Sequence, residues 1–354
     1  MLYQTENQHG GDVYGGGITL DFSANTNPLG TPPGVLEAVC RALPQLHRYP
    51  DPYCRRLVQA IAGHEQVPAS YILCGNGAAD LIYTYCAALQ PRTAVELAPT
   101  FVEYGAGLAQ VGCRVERYFL HQAQNFDLDE RFLSFLEEKK PEVVFLCNPN
   151  NPTGRLIPLP LLEQILQYCA AQGARLFLDE CFLDLTEDGV SAKSLLAAHP
   201  ELLILKAFTK SYGMAGIRLG YCLCADNALL RRMAAASPPW NVSTPAQSAG
   251  VAALAERDFL QRTLSLVRTE RRWLTDNLTA LGFWVCPSHA NYLLFRGPLG
   301  LREGLLQQGI AIRGCGNYNG LGDGWYRIAV RPHGENEALI TATRQFCKEK
   351  SLWQ

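Results

Sequence analysis

The sequence predicts an α/β fold in which a large domain built on a mainly parallel sheet is followed by a smaller α+β domain. Three observations carry this. The chain has 354 residues, 48% of them apolar, enough for one large cored domain and a second smaller one. Between about residue 70 and residue 225, short apolar or β-branched runs alternate with helical patterns, which calls for crossover connections and hence parallel strands. After Pro238 and Pro239 that alternation stops.

Along the chain, residues 1–34 are rich in glycine and proline and read as an arm that joins the small domain. The large domain spans residues 35–240. Its strands are expected at 71–74, 94–97, 143–147, 176–178 and 202–205. The helices between them carry apolar residues at three- and four-residue spacing, as in Leu159, Leu162, Ile165, Leu166 and Cys169, so that each covers a sheet face. The small domain, residues 241–354, is expected to open with a long, mostly helical stretch over 245–281. Short strands near 291–295 and 326–330 follow, and a helix over 335–348 closes the chain. No internal repeat or low-complexity linker interrupts this order.

A formal net charge of -2 supplies no basic field for nucleic acid or an anionic membrane, so neither is expected as a partner. The opening residues carry Gln4, Glu6, Asn7 and Gln8 in place of the apolar stretch of a secretion signal, and no run approaches the roughly 18 apolar residues of a membrane span. A cytoplasmic protein is the expectation. The 13 cysteines scatter from Cys40 to Cys347, mostly in apolar segments, without CxxC spacing, so no metal is expected. Cys222 and Cys224 read as two small apolar side chains on one face of a buried strand.

In an open α/β sheet ligands bind beyond the carboxyl ends of the strands, which directs attention to four loops. Gly75, Asn76 and Gly77 follow a strand and open a helix, where backbone N–H groups and the positive end of the dipole suit a phosphate. A dinucleotide fingerprint would want a third glycine at position 80, which is Asp80. The run Asn148-Pro149-Asn150-Asn151-Pro152-Thr153-Gly154 makes a rigid polar turn. Asp179 and Glu180 end an apolar strand, where a carboxylate is either a helix cap or the partner of a buried cationic ring nitrogen. Lys210 follows Lys206, Ala207, Phe208 and Thr209, with Arg218 eight residues on; a lysine in such a loop is ordinarily a surface charge.

As a set, the asparagine-proline turn, Asp179, Lys210 and Arg218, in that order, resemble the fold-type I pyridoxal-phosphate enzymes, whose fold is aspartate-aminotransferase-like. The resemblance spans nearly the whole chain. It implies that Lys210 carries pyridoxal 5'-phosphate as a Schiff base and that Asp179 pairs with the protonated pyridine nitrogen, keeping the ring an electron sink. It further implies that Asn151 bonds the phenolic oxygen, that Phe101 of Pro99-Thr100-Phe101 stacks on the ring, and that Asn76, Gly77, Thr209 and Arg218 hold the phosphate. Tyr49, in Arg48-Tyr49-Pro50-Asp51, matches a tyrosine that reaches the phosphate across a dimer interface, which implies a homodimer with shared sites. Arg327 matches the arginine that holds the substrate α-carboxylate by a bidentate pair. Two positions depart from the pattern: Phe182 stands where many relatives have a tyrosine, and Ala207 where many have a phosphate-binding serine.

Three further segments narrow the resemblance. His9-Gly10-Gly11-Asp12 with residues 21–30, Phe182, and residues 312–318 with 326–331 are similar to the threonine-phosphate decarboxylases of cobalamin biosynthesis, near relatives of the histidinol-phosphate aminotransferases. This implies conversion of L-threonine O-3-phosphate to (R)-1-amino-2-propanol O-2-phosphate, with His9, Gly10, Asn25, Asn151, Arg313 and Arg327 around the substrate. A histidine so near a terminus is otherwise a loose end. Three alternatives stay open. A histidinol-phosphate or related aminotransferase would use the same residues. A serine-phosphate decarboxylase giving ethanolamine phosphate differs by one methyl group, worth only about 1–3 kcal/mol in a pocket. A catalytically silent binding protein on the same fold is the third.

Overall fold

The computed structural model describes residues 9–350, so the first eight residues of the amino-terminal arm, including most of the opening read for a secretion signal, lie outside it. Seven strands form the large sheet: β1 (Ile72–Gly75), β2 (Thr93–Ala98), β3 (Arg114–Phe119), β4 (Val143–Cys147), β5 (Arg175–Asp179), β6 (Leu202–Ala207) and β7 (Gly220–Cys224). Their order is β1-β7-β6-β5-β4-β2-β3. β7 runs antiparallel to both of its neighbours and every other pairing is parallel.

The central strands are apolar because both of their faces are covered: β4, β6 and β7 bury every residue. Each fully buried aliphatic side chain there contributes about 1.5–3 kcal/mol. Cys222 and Cys224 pack in this core as expected for one strand face. β3 is absent from the expected strands because it is an edge strand, partly exposed and broken by Arg114, Glu116 and Arg117, so its apolar content is too low to stand out. The helix Leu159–Gln172 carries Pro160 in its first turn, ends at Gly173 in the left-handed region, and buries Leu161, Leu162, Ile165, Leu166 and Cys169 on the sheet.

The smaller sheet holds β8 (Trp284–Val285), β9 (Tyr292–Arg296), β10 (Arg313–Gly314) and β11 (Trp325–Ala329) in the order β10-β11-β9-β8, all antiparallel. The helices Phe259–Ala280 and His333–Glu349 close its core through Leu274, Leu278, Leu339 and Phe346. The arm is tied to this unit: Leu20–Asp21 pairs with Ile310–Ala311, and Phe22 enters the same core.

The mostly helical stretch expected over 245–281 consists of two helices, Thr244–Leu254 and Phe259–Ala280, separated at residues 255–258. The first packs on α1 (Pro33–Ala42) and α2 (Arg55–Glu65), where Ala246, Ala249 and Ala253 permit close approach and join the large sheet's core. The chain passes to the smaller sheet's layer along the second helix, whose Phe259 still packs in the large core while Leu274 and Leu278 enter the smaller one. Among the described residues no helix is long and apolar enough to cross a membrane.

Candidate active site

The carboxyl ends of β1, β2, β4, β5 and β6 share one rim of the large sheet. Because β7 runs the other way, the residue two places before it, Arg218, arrives at the same rim. β10 and β11 face that rim from the smaller sheet, and a cavity of about 230 Å³ lies between.

Asp179 ends β5 and forms part of the cavity wall, 5% exposed. The Tyr104 hydroxyl donates to its Oδ2 at 2.6 Å and the Cys181 N–H to its Oδ1 at 2.8 Å. Burial pushes this carboxyl above the usual carboxylate range, and the two hydrogen bonds and the nearby Lys210 charge oppose that rise. Tyr104 lies on α4 (Glu103–Gln110), fully buried, and was not singled out from the sequence. Its only signal there is its place one helical turn after Phe101.

Lys210 sits on the short helix Phe208–Ser211 that follows β6, its Nζ 5.5 Å from the Phe182 ring centre. Burial, then the Arg327 charge, lowers its amine to about 8. Lys206, one helical turn earlier in sequence, does not line the cavity. It is buried against Glu65 at 3.0 Å and Asp184 at 2.9 Å.

The three asparagines of the polar turn divide their work. Asn148 Oδ1 accepts from the Ile157 N–H at 2.9 Å. Asn150 donates to the Pro99 carbonyl and Thr153 and accepts from Thr100, tying two rim loops together. Asn151 alone of the three faces the cavity, where its Oδ1 accepts from Arg327 Nη1 at 2.5 Å.

Arg327, 6% exposed, also donates from Nη2 to the Ser23 carbonyl at 2.9 Å. Directly across the β10–β11 ladder stands Arg313, held by Asn317 at 2.7 Å. Like charges opposed on one sheet face destabilise it unless an anion answers them. Beside them Asn25 is 2% exposed and neither of its amide atoms has a partner among the described residues, nor has Arg327 Nε. Buried polar atoms left this way cost about 1–3 kcal/mol each, so these point to a ligand.

His9, Gly10, Phe101 and Thr209 also line the cavity, as do the two departures Phe182 and Ala207. Asn76 and Gly77 do not. Asn76 is exposed and spends its N–H on Asp80, while the first turn of α3 (Ala78–Leu89) reaches the cavity through Ala78 and Ala79. Gly77 has φ +88°, and a Cβ there would lie 2.7 Å from Arg218 Nη2, so its bare backbone makes room for that guanidinium. Tyr49 lies outside the cavity, 77% exposed and stacked on Trp240 at 4.4 Å. Among the described lining residues, Lys210, Arg218, Arg313 and Arg327 face the single carboxylate of Asp179. Such a cavity suits a ligand with several negative charges and a group that condenses with an amine.

Residues 18–344 match the family model "Aminotransferase class I and II". The chain is 41% identical over 331 residues to a threonine-phosphate decarboxylase of Salmonella typhimurium, covering 92% of this chain and 90% of the relative. It is 33% identical to a histidinol-phosphate aminotransferase of a Geobacillus species, covering 96% and 93%. Among solved structures, the histidinol-phosphate aminotransferase of Clostridium acetobutylicum superimposes with a TM-score of 0.87 at 28% identity, covering 93% and 99%.

Proposed function

Since the chain belongs to the class I and II aminotransferase family, we propose that it uses pyridoxal phosphate to decarboxylate L-threonine O-3-phosphate to 1-amino-2-propanol phosphate, a step of cobalamin biosynthesis. The observation that carries the substrate reading is the buried Asn25 side-chain amide and Arg327 Nε, which have no partner among the described residues and stand where Arg327 is paired across the ladder with Arg313: this corner suits an anion that is not the cofactor's own. A phosphoamino acid brings two such groups, a carboxylate and a phosphate.

The residues present fit the cofactor. An amine and a buried carboxylate face one cavity from strand ends, Phe101 supplies an aromatic wall, and Thr209, Arg218 and the first turn of α3 offer an anion cradle. When bound, pyridoxal phosphate supplies an electron sink for the pair left on Cα. Asp179, both oxygens already oriented by Tyr104 and Cys181, would hold the ring nitrogen's proton. Asn151, its Oδ1 given to Arg327, would donate from Nδ2 to the phenolic oxygen. Arg327, fixed by Asn151 and Ser23, would clamp the substrate carboxylate and so set which Cα bond stands across the ring plane. Arg313, His9 and Asn25 would take the phosphate. Lys210 Nζ is the group placed to return a proton to Cα once carbon dioxide has left; its lowered pKa makes it able to gain and lose that proton near neutral pH.

The same reading includes a homodimer. Leu36, Leu43, Leu46, Tyr49, Tyr53 and Trp240 are exposed apolar side chains, most of them within a short stretch of chain, and a second copy covering them would bring Tyr49 toward its partner's phosphate cradle. It also includes the two domains, with the smaller one and the arm supplying the substrate side. A cytoplasmic setting accords with buried cysteines that form no disulfide, such as Cys147, Cys169 and Cys222. The test is to incubate the cofactor-loaded protein with L-threonine O-3-phosphate, following carbon dioxide release and amino transfer to 2-oxoglutarate separately. Carbon dioxide without transfer is the expected result. Amino transfer, or turnover of histidinol phosphate alone, would make the protein an aminotransferase.

A further inference from the structure

Residues 101–104 send Phe101 and Tyr104 into the cavity wall, but Glu103 between them does not line it. Glu103 opens α4, and both of its carboxylate oxygens are engaged. Oε1 lies 2.8 Å from His9 Nε2, and Oε2 accepts from the Tyr83 hydroxyl at 2.7 Å. The Glu103 side chain is 17% exposed against 43% for His9, so the carboxylate is the buried, fixed member of the pair. The His9 hydrogen bond holds the Glu103 carboxyl below its usual range against the opposing effect of burial, with Tyr83 assisting. The His9 ring also lies 5.9 Å from that of Phe101.

The residues after His9 are anchored independently. The Gly11 N–H donates to Ser23 Oγ at 2.8 Å, and a Cβ on Gly10 would fall 2.1 Å from the Ser23 carbonyl oxygen, the atom that also accepts from Arg327. The arm is thus stitched at His9 to the large sheet's rim and at Gly10 and Gly11 to Ser23, whose carbonyl Arg327 holds. Segments near a terminus order only when tied down in this way.

We propose that Glu103, braced by Tyr83, is a positioning residue that seats His9 at the cavity mouth so that its imidazole meets the phosphate monoester of the substrate. This rests on the phosphoamino-acid reading above. Glu103 touches no substrate; it removes from the binding step the cost of ordering the histidine that does. Replacing it should therefore weaken recognition of the phosphate and leave the chemistry at Cα alone.

The test is steady-state kinetics of the cofactor-loaded enzyme with L-threonine O-3-phosphate, with L-threonine, which lacks the phosphate, as a competitive inhibitor. Glu103→Gln should raise KM about tenfold, keep kcat within about twofold, and leave the inhibition constant of L-threonine unchanged. Tyr83→Phe should act in the same direction and less. His9→Asn should raise KM at least as far, and adding Glu103→Gln to it should produce no further rise, because both act through one contact. An unchanged KM in Glu103→Gln, an inhibition constant for L-threonine that rises in step with KM, or effects that multiply in the double variant would overturn the proposal. If the protein instead transaminates histidinol phosphate, the substrate reading fails. The same series run with histidinol phosphate against histidinol then decides the role of Glu103 by the same outcomes.

Discussion

Replacing Lys210 with methionine should abolish turnover and also make the cofactor-free protein more stable. The amine is lowered from 10.5 to about 8, chiefly by burial and then by the Arg327 charge. That depression corresponds to about 3 kcal/mol of cost in holding the ammonium in the folded cavity. Because the side chain keeps part of its surface wet, this is an upper figure. The sign follows from linkage. Below about pH 8 folded and unfolded chains both carry the proton and the whole cost is present; between about 8 and 10.5 only the unfolded chain carries it, so stability rises with pH and the cost disappears. Methionine has similar length and no charge, so it escapes the penalty. The assay is urea unfolding of the two cofactor-free proteins by circular dichroism at pH 7 and pH 10. The variant should be more stable by about 1–3 kcal/mol at pH 7, with the advantage shrinking at pH 10. A variant no more stable at pH 7, or an advantage that does not shrink with pH, would refute the argument that burial and the arginine depress this amine.

Lys206→Met should do the opposite, because it strips the charge that answers Glu65 and Asp184: a loss of about 3 kcal/mol at neutral pH, read in urea unfolding, with the cofactor's absorbance kept. Burial alone would push the Glu65 carboxyl up, but Lys206, Lys193 and Tyr221 outweigh it and hold it at about 2, so its contribution is present above about pH 4.5 and fades as pH falls toward 2. The deficit of the variant should shrink in that acid range, and a deficit that grows there would contradict the ion-pair account. Asp179→Ala should weaken cofactor binding and remove most activity, whereas Tyr104→Phe should keep the cofactor and lower kcat; titration of the cofactor absorbance and kinetics separate the two, and near-normal turnover in Asp179→Ala would count against its role. Arg327→Ala should raise the substrate KM by at least about thirtyfold, about 2 kcal/mol, since a buried guanidinium with two fixed partners is lost. An unchanged KM would move the carboxylate site elsewhere.

The order of chemistry along the chain was legible in the sequence. Apolar runs separated by helical patterns dictate parallel strands, and parallel strands deliver their following loops to one rim, so the loops holding Gly77, Asn151, Asp179 and Lys210 had to meet. The buried strands could be read because continuous apolar runs survive only where both faces are covered. β3 could not, since an edge strand is free to carry charge. Nor could the break at residues 255–258, because propensity runs through it and only packing against α1 and α2 detaches the first helix from the second.

The tertiary structure alone decided which of several chemically equal side chains faces the cavity. Lys206 and Lys210 are the same residue type in the same segment, yet one is buried against Glu65 and the other faces Phe182. Asn148, Asn150 and Asn151 are alike in sequence, and the strand ends they bridge assign two of them to holding loops. Tyr104 reaches Asp179 across 75 residues, Glu103 reaches His9 across the arm, and Arg327 reaches Ser23 across 304. No local pattern encodes contacts of that range. They exist because two sheets, each fixed by its own apolar core, and an arm tied to the smaller one leave one gap between them, and the side chains that close it are set by where those cores put the backbone.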